Sequence, residues 1–139
     1  MMVNRKNLTI EDIRTFLDVP RIAYLSTIDN HGYPHTVPVW FSPDGETLIF
    51  NSGKNRARLK HILTNPKVAV TIGGNIGDPE GYLIKGDGAI EDDLSHIKLE
   101  QITRRYIPDE SALNGFLESV KQEERIILRL TPKKVIRVR

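Results

Sequence analysis

LIFNSGKNRARLKHILTNPKVAVTI, residues 48–72, runs from a strand through a short basic helix into a second strand. The first strand spans residues 47–51 and gives way to a small polar loop. Residues 56–64 then place Leu59, Ile62 and Leu63 on one helical face. Asn65-Pro66 ends that helix, because proline has no N–H to offer the ladder and its ring clashes with the preceding turn. Residues 67–72 are dominated by Val, Thr and Ile, which suit a pleated surface. Asn55 is the expected N-cap, its side-chain oxygen accepting a first-turn N–H. Lys54, Arg56 and Arg58 crowd the helix start, the end where the helix dipole is already positive. A bound anion would compensate them. A solvated basic face is the other reading, and these residues alone leave both open.

Upstream, Thr9-Ile10-Glu11-Asp12 resembles a capping box, with Ile10, Ile13, Phe16 and Leu17 on one helical face and Pro20 closing the helix. Residues 21–28 read as a strand, 29–32 as a turn and 33–41 as the returning hairpin strand. Ser42-Pro43-Asp44-Gly45 has the composition of a second turn. Downstream, residues 73–81 read as a flexible loop and 82–91 as a strand in which Gly86 and Gly88 permit a bend or bulge. Helices are expected over 94–106 and 110–122, the first capped by the acidic run Glu91-Asp92-Asp93. Residues 125–130 and 134–138 alternate like strands joined at Thr131-Pro132. Hairpins dominate and no βαβ rhythm appears. The expected fold is mainly β (α+β), a small six- to seven-stranded antiparallel barrel with peripheral helices.

A chain of 139 residues suits one domain, here 1–139. With 20 Lys+Arg against 18 Asp+Glu and no basic stripe with interleaved aromatics, nucleic-acid binding is not expected. The absence of cysteine excludes disulfides and thiolate metal sites and fits a cytoplasmic location. No apolar run approaches the roughly 20 residues of a membrane helix, and MMVNRKN lacks the apolar core of a signal peptide. His31, His35, His61 and His96 show no metal-site spacing, and no nucleophile arrangement is legible, so neither a metal nor hydrolase chemistry is expected.

Three phrases, LSTIDNHGYPHTVPVWF (25–41), the 48–72 segment and YLIKGDGAIEDD (82–93), occur in an order that resembles the pyridoxamine 5′-phosphate oxidase-like family, the FMN-binding split barrels. The resemblance implies a homodimer with the cofactor at the subunit interface. It implies a cofactor phosphate held by the loop and helix start, here Lys54, Arg56, Ala57 and Arg58, with Lys60 as a further candidate. Asn51 and Ser52 match the strand end that reaches the ribityl chain and phosphate, and Pro38, Val39 and Trp40 the strand along which the isoalloxazine lies. Arg58 stands where the family usually has lysine, and a guanidinium can grip a phosphate bidentately. Trp40 either flanks the ring or serves as a core or interface residue. His61 either donates to the cofactor or lies at the helix surface.

The C-terminal segment with which vitamin B6 oxidases bind pyridoxamine phosphate is not found in LTPKKVIRVR. The implied activity is therefore that of an FMN-dependent oxidoreductase on an unknown small molecule. An F420-dependent reductase on the same barrel and a non-catalytic flavin-binding or sensing protein are the alternatives. No general acid or base is forced by the sequence.

Overall fold

The computed structural model describes residues 8–139; residues 1–7, where a signal peptide would begin, lie outside the described part. The chain lays down β1 (Ala23–Ile28), β2 (Pro34–Val39), β3 (Phe41–Asp44), β4 (Thr47–Gly53), β5 (Lys67–Asn75), β6 (Asp78–Asp92) and β7 (Arg125–Arg137). Helix α1 (Arg14–Leu17) precedes the strands, α2 (Ala57–Thr64) links β4 to β5, and α3 (Ile97–Tyr106) and α4 (Glu110–Val120) lie between β6 and β7. All strands pair antiparallel in one sheet, in the order β2-β1-β5-β6-β7-β4-β3.

That order determines the shape. β2 and β3 are opposite edges of the sheet, yet only Trp40 separates them in sequence. Two successive Cα steps reach roughly 7 Å at most. The edges must therefore meet at Trp40, and the sheet curls into a barrel split along that seam. Alternation sends Leu25, Phe50, Val70, Ile84 and Leu128 inward. Phe16 and Leu17 of α1 and Leu59 and Ile62 of α2 join the same interior cluster. A second layer lies outside the barrel. Ile49 and Ile127 point outward from β4 and β7 and are covered by Ile102 of α3, with Trp40 and Tyr106 packed against them. Leu113 and Leu117 of α4 pack on Leu99 of α3.

Several sequence expectations are corrected. The 33–41 strand breaks at Trp40, and residues 41–44 pair with β4 instead of turning. The reversal falls at Gly45-Glu46, with Gly45 at φ +62°. Pro43 is tolerated there because an edge strand leaves one row of N–H groups without a ladder partner. The 73–81 loop is instead a continued hairpin that pairs as far as Asn75 with Asp78. Gly73 and Gly74, at φ +90° and +88°, supply the irregularity that lets it continue. The two terminal strands are one bent strand, bulged where the register steps from Lys85–Lys134 to Gly86–Pro132 and leaves Lys133 as the extra residue.

Helix ends follow their caps. Thr9 and Asp12 exchange backbone-to-side-chain hydrogen bonds of 2.8 and 3.2 Å, as the capping-box reading expects, although the helix that follows is short. Asp93 accepts from the N–H groups of Lys98 (3.2 Å) and Leu99 (2.9 Å), so the acidic run does cap α3. The start falls at Ile97, later than expected, because His96 takes a left-handed φ of 59°. α4 ends at Val120. Asn55 is not the cap of α2. The Arg56 N–H closes a backbone turn onto the Gly53 carbonyl at 3.3 Å, which makes Arg56 the N-cap, with no side-chain cap bond.

A half-buried ion network ties β3, β6, β7 and α3 together. Arg129 reaches Asp44 and Glu91, each at 2.7 Å, and Lys98 lies 3.4 Å from Asp44. The Arg129 guanidinium holds both carboxyls below their ordinary values. A carboxylate whose folded value is depressed stabilises the fold fully above its unfolded value and loses that contribution as pH falls through the folded one. Wild type should therefore lose stability steeply below about pH 4, where unfolded carboxyls protonate, and Arg129→Met should be less stable at neutral pH with a shallower acid limb. Urea unfolding across that range checks this, and parallel stability curves would refute it.

Candidate functional site

A cleft of about 370 Å³ opens on the outer side of the barrel, between β4 and β7, the end of β2 and the helices α3 and α4. Of the sequence-predicted residues, Pro38, Val39, Trp40, Asn51 and Arg58 line it. Ile102, Thr103 and Phe116 are added from the helices, and Arg125 from β7. One end is cationic and the other apolar.

The cationic end is built by strand alternation and by the start of α2. Asn51 faces out of β4, and its side-chain oxygen accepts from Arg125 Nε at 2.8 Å and Nη2 at 2.5 Å. This clamp fixes the Arg125 guanidinium, whose side chain is only 13% exposed. Arg58 is half-buried, and its guanidinium is pushed below its ordinary value by burial and then by the charges of Arg56 and Arg125. Arg125 is lowered for the same leading reason, burial. Among the described residues no acid pairs with Arg58 and none accepts a hydrogen bond from it. The first turn of α2, including Ala57, receives no side-chain cap, so its N–H groups add to the positive end.

Other predicted residues do not line the cleft. Ser52 points into the barrel, fully buried, and its hydroxyl donates to the Gly53 carbonyl at 3.0 Å. Lys54 turns to Glu124 at 3.1 Å, and Lys60 is exposed on α2. Arg56 is largely exposed at the rim, 3.8 Å from Glu123. Arg125 was not legible from sequence. An arginine opening an apolar strand is unremarkable until β7 is known to pair beside β4, Gly53 opposite Arg125.

At the apolar end Trp40 stacks face to face on Tyr106, centroids 4.6 Å apart and planes within 6°, and Phe116 lies 5.3 Å away. The Tyr106 hydroxyl donates to the Arg21 carbonyl at 2.7 Å and accepts from the Phe41 N–H at 3.2 Å, which locks the seam. Burial pushes the Tyr106 phenol above its ordinary value. Trp40 lines the cleft and also packs in the outer layer. Among the described residues β2 pairs with β1 alone, so main-chain groups along its outer edge near Pro38 have no strand partner there.

Elsewhere, His61 Nδ1 lies 2.9 Å from Thr27 Oγ1, with the His35 ring 5.0 Å away. Among the described residues no three His, Cys, Asp or Glu are placed to hold a metal ion. None of their helices is long and apolar enough to cross a membrane.

Compared with known families, residues 9–139 match the family model described as pyridoxamine 5′-phosphate oxidase. The chain belongs to that family. Solved structures similar to this oxidase-family barrel include an F420 reductase, at 22% identity over 88% of this chain and 94% of that one, TM-score 0.70. A candidate pyridoxamine 5′-phosphate oxidase from Listeria innocua aligns at 22% identity over 92% and 96%, TM-score 0.68. HutZ, the heme storage protein of Vibrio cholerae, aligns at 13% over 91% and 93%, TM-score 0.67. At these identities the likeness is one of fold. A search of curated proteins returns no significant match. Pyridoxamine 5′-phosphate oxidase-like barrels commonly bind flavins and are typically dimeric.

Proposed function

We propose that this member of the family is a cytoplasmic FMN-binding oxidoreductase acting on a small molecule, as a homodimer with the cofactor at the subunit interface. What carries the reading is Arg58, a half-buried cation with no acid within ion-pair distance among the described residues, facing a cleft whose far wall is aromatic. A desolvated charge held without a partner is costly to the fold. A ligand phosphate explains why it is kept.

In this reading Arg58, Arg125 and the first-turn N–H groups of α2 hold the phosphate, with Arg56 at the rim. The unpaired edge at Pro38–Trp40 hydrogen-bonds the ring, while Ile102 and Phe116 exclude water from it. When bound, the flavin supplies two-electron redox chemistry, and the protein supplies orientation and a dry wall. The cleft lies at the small end of ligand pockets, which span about 300–1,000 Å³, so a second copy completing it accords with the family's dimers. Its cations are gathered at one end. Lys54 and Lys60 do not extend them along the cleft, which favours the short phosphate of FMN over the long acidic tail of F420.

The test is the visible spectrum and mass of the cofactor released from purified protein, followed by titration of the stripped protein with FMN and with F420. FMN release or tighter FMN binding is expected. Release of F420 would replace FMN by the deazaflavin, and binding of neither would overturn the reading. Steady-state reduction of small-molecule acceptors then separates an enzyme from a flavin-holding sensor.

A further inference from the structure

The turn between α4 and β7 delivers two opposite charges to the cationic end of the cleft. Arg125 opens β7, and Glu123 sits two residues before it. The Glu123 carboxylate lies 3.8 Å from Arg56 Nη2 and 3.8 Å from Arg125 Nη1. Both separations exceed hydrogen-bonding distance. Its neighbour Glu124 behaves differently, turning outward to bond Lys54 at 3.1 Å. The Glu123 side chain is 41% exposed, so it has room to swing.

Gly53 supplies the second observation. Its φ is not in the left-handed region, so the backbone does not call for glycine. Position 53 bears on Glu123 instead, because a methyl group there would lie 2.1 Å from Glu123 Oε1 and would push that flexible carboxylate aside. The glycine therefore leaves the Glu123 carboxylate room to rest beside Arg56 and Arg125, and the anion now resting there is the protein's own.

We propose that Glu123 is a displaceable internal anion, which offsets part of the charge of the arginine cluster in the free protein and competes with the ligand's phosphate for it. The proposal rests on the reading of this end of the cleft as a phosphate site. A carboxylate and a phosphate against the same guanidiniums repel each other. Binding must move Glu123 aside, and its return favours release. Because the contacts are long and purely electrostatic, displacement breaks no hydrogen bond. The consequence is an exchangeable ligand, held less tightly than three arginines would otherwise hold it.

The experiment compares wild type with Glu123→Gln and Glu124→Gln, which remove the same charge one residue apart. FMN dissociation constants and release rates are measured, with inorganic phosphate as competitor. Glu123→Gln is expected to bind FMN about tenfold more tightly, mainly through slower release, and to strengthen phosphate competition alike. Glu124→Gln should stay within about twofold, since an exposed pair contributes little. Without ligand, Glu123→Gln should melt no higher than wild type, because its arginines have lost their counter-charge. Glu123→Ala should repeat the gain in affinity, so the result does not depend on one variant's folding. Unchanged or weaker binding in both Glu123 variants, or an equal gain in Glu124→Gln, would overturn the proposal and leave the phosphate site standing. If neither wild type nor the variants bind FMN, F420 or phosphate, the underlying site reading fails as well.

Discussion

Arg58→Ala is expected to weaken FMN binding roughly 10- to 150-fold, the equivalent of losing one charge-assisted hydrogen bond of about 1.5–3 kcal/mol. The argument is one of desolvation. Arg58 is half-buried beside two other arginines, and among the described residues no acid comes within ion-pair distance of it, Glu123 acting on it only through space, so much of its hydration is already lost before a ligand arrives. A phosphate reaching it gains a nearly full charge-assisted contact. Arg58→Lys should recover part of the affinity, as a point charge without the planar fork. Lys60→Ala should change nothing, because Lys60 is exposed and lines no part of the cleft. Removing an unpaired half-buried cation should leave the melting temperature of the free protein unchanged or raised. Flavin fluorescence titration with thermal melts on the same samples reads both quantities. FMN affinity in Arg58→Ala equal to wild type would remove Arg58 from the site.

The legible and illegible parts of this molecule divide by range. Strand periodicity, the helix stop at Asn65-Pro66 and the cap by Asp93 are local, and each is written in neighbouring residues. The seam is not local. Residues 33–41 alternate smoothly through Trp40, and nothing nearby says that the chain leaves one sheet edge there and joins the other. Thr131-Pro132 looks like a joint in the sequence, but the partner strand absorbs the extra residue in a bulge, and the ladder runs on. The same limit governs the site. Arg58 was visible as a misplaced cation at a helix start, because the helix dipole makes it locally unfavourable. Arg125 offers no local anomaly, and its role depends on Asn51 across a ladder 74 residues away in sequence. Ser52 lies away from the cleft for a simpler reason, since adjacent residues of a strand face opposite ways and Asn51 already takes the outer side.

Gly86→Ala is expected to destabilise the fold by about 3 kcal/mol and lower the melting temperature by roughly 10 °C. Its φ is not left-handed, so the cost comes from packing alone. A methyl group at 86 would lie 2.1 Å from the Thr131 carbonyl oxygen and 3.0 Å from the Pro132 Cα. Both obstacles are backbone atoms of the bulge that bends β7, so neither can rotate away. Relief requires the bulge to open, and the β6–β7 ladder that closes this part of the barrel opens with it. Gly77→Ala is the control. Position 77 lies at the tip of the β5–β6 hairpin, and among the described residues an added methyl group there would meet nothing within 4 Å, with no positive φ. That change should be neutral, or stabilising by about 0.4–1 kcal/mol through the unfolded chain. Denaturant unfolding and thermal melts of the pair decide the matter, and equal stabilities would show that the bulge is not rigid. Gly86 lines no part of the cationic cleft, so the folded fraction of Gly86→Ala should keep wild-type FMN affinity. Set against Arg58→Ala, which should lose affinity and keep stability, the two substitutions separate the residues that close this barrel from those that give it a ligand.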